Sequence, residues 1–327
     1  MRLIVGVDLG GTNIVVGTLP EDGSALYGQV SESTPVAAGP EAVVRCMVEL
    51  VQRSLDETRR ELGQARVDVA GVGVGAPGPL DTASGIVLLA PNLGWRDMPL
   101  RQRIAAATGL DATLDNDANC ATFGEWWRGA ARGGRIVAGL TIGTGIGGGI
   151  VLDGRIYHGA SDVAAEFGHT TIDATGRRCA CGNYGCLEAY ASGPNIAKRA
   201  LEELESGRPS SIPRHVGDDL RRVTAQTVYA AASAGDELAL EVVRDTAKFL
   251  GVGIANIMNI LNPDVVVITG GVTQAGDRLF GPLRMEVGRR AFKPAVDACR
   301  ILPGTLPGTA GVFGAAAAFK VQRWGAV

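Results

Sequence analysis

Residues 2–19 read RLIVGVDLGGTNIVVGTL, and the fold class follows from this stretch. Two apolar runs, Arg2–Leu9 and Ile14–Leu19, are typical of strands. The pair Gly10-Gly11 between them permits a tight turn, and the carboxylate of Asp8 stands just before it. The stretch therefore predicts a strand, a glycine turn and a second strand.

Two later parts of the chain repeat this arrangement of a strand and glycines. Ile136–Ile142 runs into a glycine-rich stretch, residues 143–149, and Val265–Thr269 is followed by Gly270-Gly271. Helical patterns of about 10–25 residues occur between the strands, among them Pro40–Leu62. Strands mixed with such helices indicate α/β architecture. The polar stretch Ser206–Asp219 is expected to be an exposed loop.

Composition and charge exclude several classes of protein. Hydrophobic residues make up 46% of the 327 residues and charged residues 20%, so the chain is not disordered and is long enough for two domains. Lys plus Arg total 31 and Asp plus Glu 34, a net charge of −3. We therefore expect no nucleic-acid partner and no anionic membrane surface as partner. The apolar run at the start ends at Asp8, too early for a secretion signal, and we expect a cytoplasmic protein.

Both glycine turns, Gly10-Gly11-Thr12 and Gly143-Thr144-Gly145, have the composition of phosphate-binding turns. Backbone N–H groups in such turns can bind phosphate oxygens, and Asp8 could hold Mg²⁺ through water. An ordinary hairpin with a turn aspartate explains the first motif, taken alone, equally well. Residues 145–150 also fit the first glycines of a dinucleotide fingerprint, but a strand follows where that fingerprint needs a helix.

The motif Asn116-Asp117-Ala118-Asn119 lies between a predicted strand, Ala112–Leu114, and a predicted helix, Ala118–Arg128. A carboxylate at such a junction can accept the proton of a substrate hydroxyl during phosphoryl transfer. Asn and Asp are also preferred helix N-caps. Taken alone, the motif favours a helix cap.

The most specific local pattern combines His169 with Cys179, Cys181 and Cys186. Three thiolates and one imidazole suit a closed tetrahedral Zn²⁺ site. Such a zinc ion would be structural, because protein ligands fill all four positions. Reduced buried thiols, or one disulfide with a spare cysteine, are the alternatives.

Two carboxylates, Glu166 and Glu188, flank this pattern. A metal ion would hold both in place and so favour a hydroxyl-rich ligand. Otherwise they are solvated surface carboxylates. The remaining histidines, His158 and His215, are expected to be surface or turn residues.

Together these motifs resemble the ROK family of bacterial sugar kinases, regulators and related proteins. The resemblance covers essentially the whole chain and is greatest to the ATP-dependent glucokinases of the family. The motifs that carry it, in chain order, are Asp8–Thr12, Gly75–Gly78, Asn92–Trp95, Asn116–Asn119, Gly143–Gly149, Glu166–His169, Cys179–Gly182 and Gly185–Glu188.

The resemblance implies two ribonuclease-H-like α/β lobes of the actin/hexokinase superfamily with a cleft between them. The first lobe would comprise residues 1–116, completed by a C-terminal helix in residues 310–327. The larger lobe would comprise residues 117–309 and contain the zinc site. A homo-oligomer, either a dimer or a tetramer, is also implied.

The function that the resemblance implies is ATP-dependent phosphorylation of a hexose, foremost glucose, at its 6-hydroxyl. Asp117 would be the general base, and the reaction would use ATP and Mg²⁺ beside a structural Zn²⁺. The implied sugar-binding residues are Gly75, Asn92, Asn116, Asp117, Glu166, His169 and Glu188. The implied ATP-binding residues are Asp8, Gly10, Gly11, Thr12, Gly143, Thr144, Gly145, Gly270 and Gly271.

Other functions stay open at this point. Within the family, the sugar could be mannose, N-acetylmannosamine or N-acetylglucosamine, and polyphosphate could replace ATP. A non-catalytic sugar sensor and an actin-like filament ATPase would share the fold. A repressor of this family carries a DNA-binding winged helix before the phosphate motif, and with Asp8 so near the start we expect a kinase instead.

Overall fold

The computed structural model describes residues 1–327. The strands are β1 (Arg2–Leu9), β2 (Asn13–Pro20), β3 (Tyr27–Ser33), β4 (Asp68–Ala76), β5 (Leu80–Asp81), β6 (Ile86–Ala90), β7 (Trp95–Met98), β8 (Ala112–Asn116), β9 (Ile136–Ile142), β10 (Ile146–Leu152), β11 (Arg155–Ile156), β12 (Val265–Thr269) and β13 (Arg300–Pro303). The helices are α1 (Pro40–Leu62), α2 (Leu100–Thr108), α3 (Asp117–Arg128), α4 (Glu188–Ala191), α5 (Gly193–Glu205), α6 (Ala225–Ser233), α7 (Glu237–Leu261), α8 (Asp277–Arg290), α9 (Lys293–Ala298) and α10 (Ala310–Trp324).

Two five-stranded sheets have the same strand order. The first is β3-β2-β1-β4-β8 and the second β11-β10-β9-β12-β13. In each, the first strand along the chain is central, the next two strands lie on one side and two later strands on the other. In the first sheet β1 pairs antiparallel with β2 and parallel with β4. The repeated strand-and-glycine pattern therefore corresponds to a repeated sheet topology.

The chain forms two compact units. The first comprises residues 1–139, 149–165 and 304–327, and the second residues 140–148 and 166–303. Strands β9 and β10 each run through a boundary between the units. These bounds differ from the lobes expected from the sequence, because α3 and residues 149–165 lie in the first unit.

Close helix packing explains why α3 belongs to the first unit. A Cβ atom added to Gly314 in α10 would lie 1.6 Å from the carbonyl oxygen of Cys120 in α3. Only glycine permits the two backbones to approach this closely. The helix α10 also packs on the first sheet, where a Cβ atom on Gly73 would lie 1.9 Å from the oxygen of Ala315. The prediction that a C-terminal helix joins the first lobe agrees with this packing.

The core of the first unit lies between its sheet and α1. Val5, Val72 and Leu114 from the sheet and Met47 and Leu50 from α1 are buried in one cluster. The helix begins with Pro40 and ends before Gly63, which adopts the left-handed conformation. Both features match the sequence signals for helix ends.

The stretch Ser206–Asp219 differs from its prediction as an exposed loop. It contains a 3₁₀ helix, Ile212–Val216, whose two end residues are buried. The carboxylate of Asp236 accepts hydrogen bonds from the hydroxyls of Ser210 and Ser211 and so fixes the segment. No helix combines the length and the apolar character that crossing a membrane requires.

Candidate active site and metal cluster

The first glycine turn is fixed by hydrogen bonds to its own hairpin and to the end of β3. The N–H of Gly10 donates to the oxygen of Asn13 at 2.9 Å, and the N–H of Thr34 to the oxygen of Thr12 at 2.8 Å. The Thr34 hydroxyl donates to the Gly10 oxygen at 2.7 Å. Gly11 and Thr12 remain exposed at the tip, as a turn that receives phosphate oxygens requires.

Asp8 lies at the end of β1, directly before this turn. Gly311 in α10 leaves room for its carboxylate, since an added Cβ atom would lie 2.2 Å from Asp8 Oδ2. Burial, and secondarily the negative charge of Asp117, raise the pKa of Asp8 to about 7. A cation would therefore stabilise the ionised form.

Asn116 caps α3, and Asp117 is the first residue of that helix. The Asn116 side chain accepts hydrogen bonds from the N–H groups of Ala118, at 2.9 Å, and Asn119, at 3.1 Å. The structure thus assigns the cap to Asn116. One oxygen of Asp117 also accepts from the N–H of Ala118, at 2.8 Å.

Two further predicted sugar residues lie near these groups in the first unit. Gly75 is close to the start of α3, because an added Cβ atom would lie 3.4 Å from the Cα of Asp117. Asn92 is exposed in a 3₁₀ helix, and its Cβ lies 3.7 Å from a Cβ built on Gly11. The first unit therefore brings Asn92 to the first glycine turn and Gly75 to Asp117.

The second glycine turn is fixed by a segment forty to fifty residues further along the chain. The N–H of Gly193 donates to the oxygen of Gly143 at 2.9 Å. Glu188 Oε2 accepts from the N–H of Ile146 at 2.8 Å. This oxygen lies so close to the turn that a Cβ atom added to Gly145 would be 2.6 Å from it. The contact of Glu188 with the turn is a feature that sequence reasoning missed.

Gly270 and Gly271 follow β12 and are exposed. A Cβ atom on Gly270 would lie 2.0 Å from the oxygen of Ile142, the last residue of β9. Gly270 has φ +98°, a conformation that favours glycine. The third glycine motif thus lies against the strand that leads into the second turn.

The four predicted metal ligands converge in the second unit. The ligand atoms of His169, Cys179, Cys181 and Cys186 all lie within 4.8 Å of one another. Cys181 Sγ is 3.7 Å from Cys186 Sγ, and Cys179 Sγ is 3.9 Å from His169 Nδ1. Ligands about 2.3 Å from a tetrahedral zinc are separated by roughly 3.8 Å, so the cluster fits this ion. None of the cysteines forms a disulfide in the structure, an arrangement that favours the thiolate cluster over the disulfide alternative.

The two flanking carboxylates lie in different surroundings. Glu188 Oε1 is 3.8 Å from Cys179 Sγ, so this side chain touches both the cluster and the second turn. Glu166 is exposed directly before the 3₁₀ helix Phe167–His169. Nδ1 of His169 faces the cysteines of the cluster. The other ring nitrogen, Nε2, is therefore the one available to another partner.

His158 differs from its prediction as a surface or turn residue. Its side chain is 28% exposed, and Nε2 lies 2.9 Å from Oδ2 of the fully buried Asp115. Burial by itself lowers the pKa of His158, but the hydrogen bond and charge of Asp115, with the charge of Asp162, outweigh it and raise the pKa. The partner is 43 residues away in sequence, which explains why no local pattern revealed the pair.

Comparison with known proteins identifies the family of the chain. A model of the ROK family matches residues 4–322. A glucokinase of Halalkalibacterium halodurans is 37% identical over 98% of this chain and 96% of its own. A xylose repressor of Caldicellulosiruptor bescii is 30% identical over 88% of this chain and 71% of its own.

Among solved structures, a ROK family glucokinase of Streptomyces griseus in complex with glucose and AMPPNP matches with a TM-score of 0.81. It is 31% identical, and the match covers 96% of this chain and 98% of the other. The expected α/β fold class of the actin/hexokinase type is confirmed by this match and by the two sheets. The family model and these relatives show that the chain belongs to the ROK family.

Proposed function

We propose that this protein is an ATP-dependent hexokinase that phosphorylates glucose at its 6-hydroxyl. The observation that carries the proposal is the pair of carboxylates in the first unit. Asp117 begins a capped helix, and its charge contributes to the raised pKa of Asp8 at the first glycine turn. One carboxylate suits a general base and the other a cation site beside phosphates. The similarity to glucokinases supports glucose as the sugar.

In the proposed reaction Asp117 accepts the proton of the sugar's 6-hydroxyl as its oxygen attacks the γ-phosphorus of ATP. The bond from this phosphorus to the bridging oxygen breaks in line, and ADP leaves with the electron pair. The glycine turns would donate N–H groups to the phosphate oxygens, which stabilises charge on the transferred group. General-base assistance contributes about 10²–10⁴-fold in rate.

The remaining residues would orient the two substrates. We assign the sugar hydroxyls to Gly75, Asn92, Asn116, Glu166, His169 and Glu188, and the adenosine to Gly270 and Gly271. Asp8 would hold Mg²⁺, which when bound neutralises charge on the donor phosphates. The cluster of His169 and the three cysteines would hold Zn²⁺, which fixes the orientation of the His169 ring.

The experiment that tests the proposal is a coupled ADP-release assay with Mg-ATP and a panel of sugars. The panel contains glucose, mannose, fructose, N-acetylglucosamine and N-acetylmannosamine, with polyphosphate as a second donor. We expect glucose to give the highest kcat/KM. Turnover mainly on another sugar would contradict glucose as the substrate, and binding of glucose without turnover would favour the sensor alternative.

Asp117→Asn tests the assigned base. The amide keeps the size of the side chain but cannot accept the proton, so kcat should fall at least about 100-fold. Asp153→Asn, in an exposed turn, is the matched control and should leave kcat unchanged. An Asp117→Asn variant with near-full kcat would remove Asp117 from this role.

Two accompanying proposals have separate tests. Elemental analysis should find about one zinc per chain, and an active protein without metal would contradict the structural role.

The homo-oligomer implied by the resemblance stays a prediction, which light scattering after gel filtration would test.

A further inference from the structure

His158 is a half-buried histidine that none of the assigned roles uses. It follows β11 and lies 2.9 Å from Oδ2 of Asp115 in β8. The Asp115 side chain is only 1% exposed. A buried carboxylate needs hydrogen-bond donors to remain ionised, and His158 is the one donor to it that can also carry a positive charge.

Asp115 connects this histidine to the segment that carries the proposed base. Its Oδ1 accepts from the N–H of Asn116 at 2.8 Å and from Nδ2 of Asn119 at 3.3 Å. Its Oδ2 also accepts from Nε2 of Gln322 in α10 at 3.4 Å. The carboxylate therefore fixes the residue before Asp117 and the first turn of α3.

The loop that carries His158 is itself fixed at two points. The N–H of Ala164 donates to the oxygen of His158 at 3.2 Å, which closes residues 158–164 into a compact loop. Asp162 Oδ2 accepts from the N–H and the hydroxyl of Thr82, at 2.8 and 3.0 Å. The imidazole is thus presented to Asp115 by an ordered backbone, at 2.9 Å from Oδ2, whereas the amide of Gln322 lies further from the same oxygen, at 3.4 Å.

We propose that His158 is a positioning residue for the phosphoryl transfer, acting through Asp115 on Asn116 and Asp117. This inference rests on the proposed function. The donor from His158 fixes the rotation of the Asp115 carboxylate, the carboxylate fixes the backbone of Asn116, and Asn116 caps the helix that Asp117 begins. Small displacements of a reacting group matter, since about 1 Å can cost roughly 100-fold in rate.

A purely structural role would have a different signature. A side chain that only stabilises the fold changes the free energy of unfolding and the fraction of active enzyme, and leaves kcat per folded molecule unchanged. A positioning residue lowers kcat with little change in KM, because substrate binding precedes the step it assists. The two roles are therefore separable by kinetics on folded protein.

The experiment compares His158→Ala, His158→Gln and the control His215→Ala, at an exposed histidine. All three are assayed for glucose phosphorylation at equal concentrations of folded protein. We expect His158→Ala to lower kcat about tenfold, with both KM values within about twofold. His158→Gln retains an N–H donor and should recover most of kcat, which keeps the test valid if the alanine variant folds poorly. His215→Ala should match the wild type.

A second measurement tests the contact itself. The protein has three histidines, so their ring nitrogens can be followed individually by NMR as the pH is changed. The groups that face His158 are Asp115 from β8 and Asp162 from its own loop. Asp115→Asn should lower the pKa of His158 and leave that of His215 unchanged.

Several results would overturn the inference. Wild-type kcat in His158→Ala, an equal loss in His158→Gln, or a change confined to KM would each exclude positioning by this histidine. An unchanged His158 titration in Asp115→Asn would exclude the contact. A wild-type protein that turns over no sugar would instead overturn the proposed function, and the role of His158 in it.

Discussion

The two glycine turns have similar sequences and the same place in their sheets, yet they are supported differently. The first is fixed by its own hairpin and by Thr34 at the end of the neighbouring strand. The second is fixed by Glu188 and Gly193, in the segment that follows Cys186 of the cluster of His169 and three cysteines. A repeated local motif can thus depend on local contacts in one copy and on a distant cluster in the other.

The strongest test of this difference removes Cys186, one of the four proposed zinc ligands. We expect Cys186→Ser to reduce the zinc content and to lower kcat/KM at least about 100-fold. The N–H of Ile146 should lose protection in hydrogen exchange measured by mass spectrometry, whereas the first turn should keep its protection. Unchanged exchange at Ile146 after loss of the metal would show that the second turn does not depend on the cluster.

Asp8→Asn tests the carboxylate of the first turn. The folded protein retains the Asp8 proton up to about pH 7, whereas an unfolded carboxyl releases it near 3.8. The folded state therefore binds more protons between these values, and its stability falls as the pH rises through them. Asparagine does not titrate, so the stability of the variant does not fall in this way. At pH 8 its free energy of unfolding should exceed that of the wild type by about 1–3 kcal/mol.

Guanidinium unfolding of both proteins at pH 5 and pH 8, without magnesium, measures this effect. The gain in unfolding free energy from Asp8→Asn should be smaller at pH 5, where the wild-type carboxyl is largely protonated. If the variant and the wild type differ in unfolding free energy by the same amount at pH 5 and pH 8, the pKa of Asp8 is not raised.

Gly145→Ala and Gly11→Ala compare the two turns directly. An added Cβ atom on Gly145 would be 2.6 Å from the Glu188 carboxylate, whereas on Gly11 the nearest atom is 3.7 Å away. The Glu188 side chain is flexible and can move, so we expect little loss of stability in either variant. The displacement of Glu188 should lower kcat/KM for glucose about tenfold in Gly145→Ala.

The readout specific to this contact is again hydrogen exchange at Ile146. Its N–H should exchange faster in Gly145→Ala and be unaffected in Gly11→Ala. Equal protection in the two variants would mean that Glu188 does not fix the second turn.

Thr34→Val removes the hydroxyl that supports the first turn, and we expect its effect to be the smallest. Valine keeps the shape but removes the hydrogen bond to the Gly10 oxygen. The free energy of unfolding should fall by about 0.5–1.5 kcal/mol, measured by urea unfolding. Ser33→Ala, at a neighbouring exposed position, is the control, and an equal change in both would assign no stabilisation to the Thr34 hydroxyl.

Much of the fold could be predicted from local signals. The bounds of α1, β1, β9 and β12 match the predicted ones, since each is an apolar or amphipathic run closed by glycine, proline or a charge. The convergence of His169 with three cysteines was also predictable, because the cysteines lie within eight residues. Family membership and the α/β fold class are confirmed.

The features that local sequence did not reveal depend on distant partners. The contact of His158 with Asp115 and that of Glu188 with Ile146 join residues about forty positions apart. The placement of α3 in the first unit depends on its packing against Gly314 of α10. The assigned roles of the sugar and ATP residues stay predictions until the variants are measured.

The packing of α10 on the first sheet has a consequence for the synthesis of the protein. The sheet is complete when β8 ends at Asn116, but α10 begins only at Ala310. At about 5–20 residues per second, a ribosome needs roughly ten seconds or more to reach that helix. During this interval the apolar face that α10 later covers is exposed on the nascent chain. Chaperones that bind growing polypeptides should therefore associate with the first unit and leave it when α10 emerges.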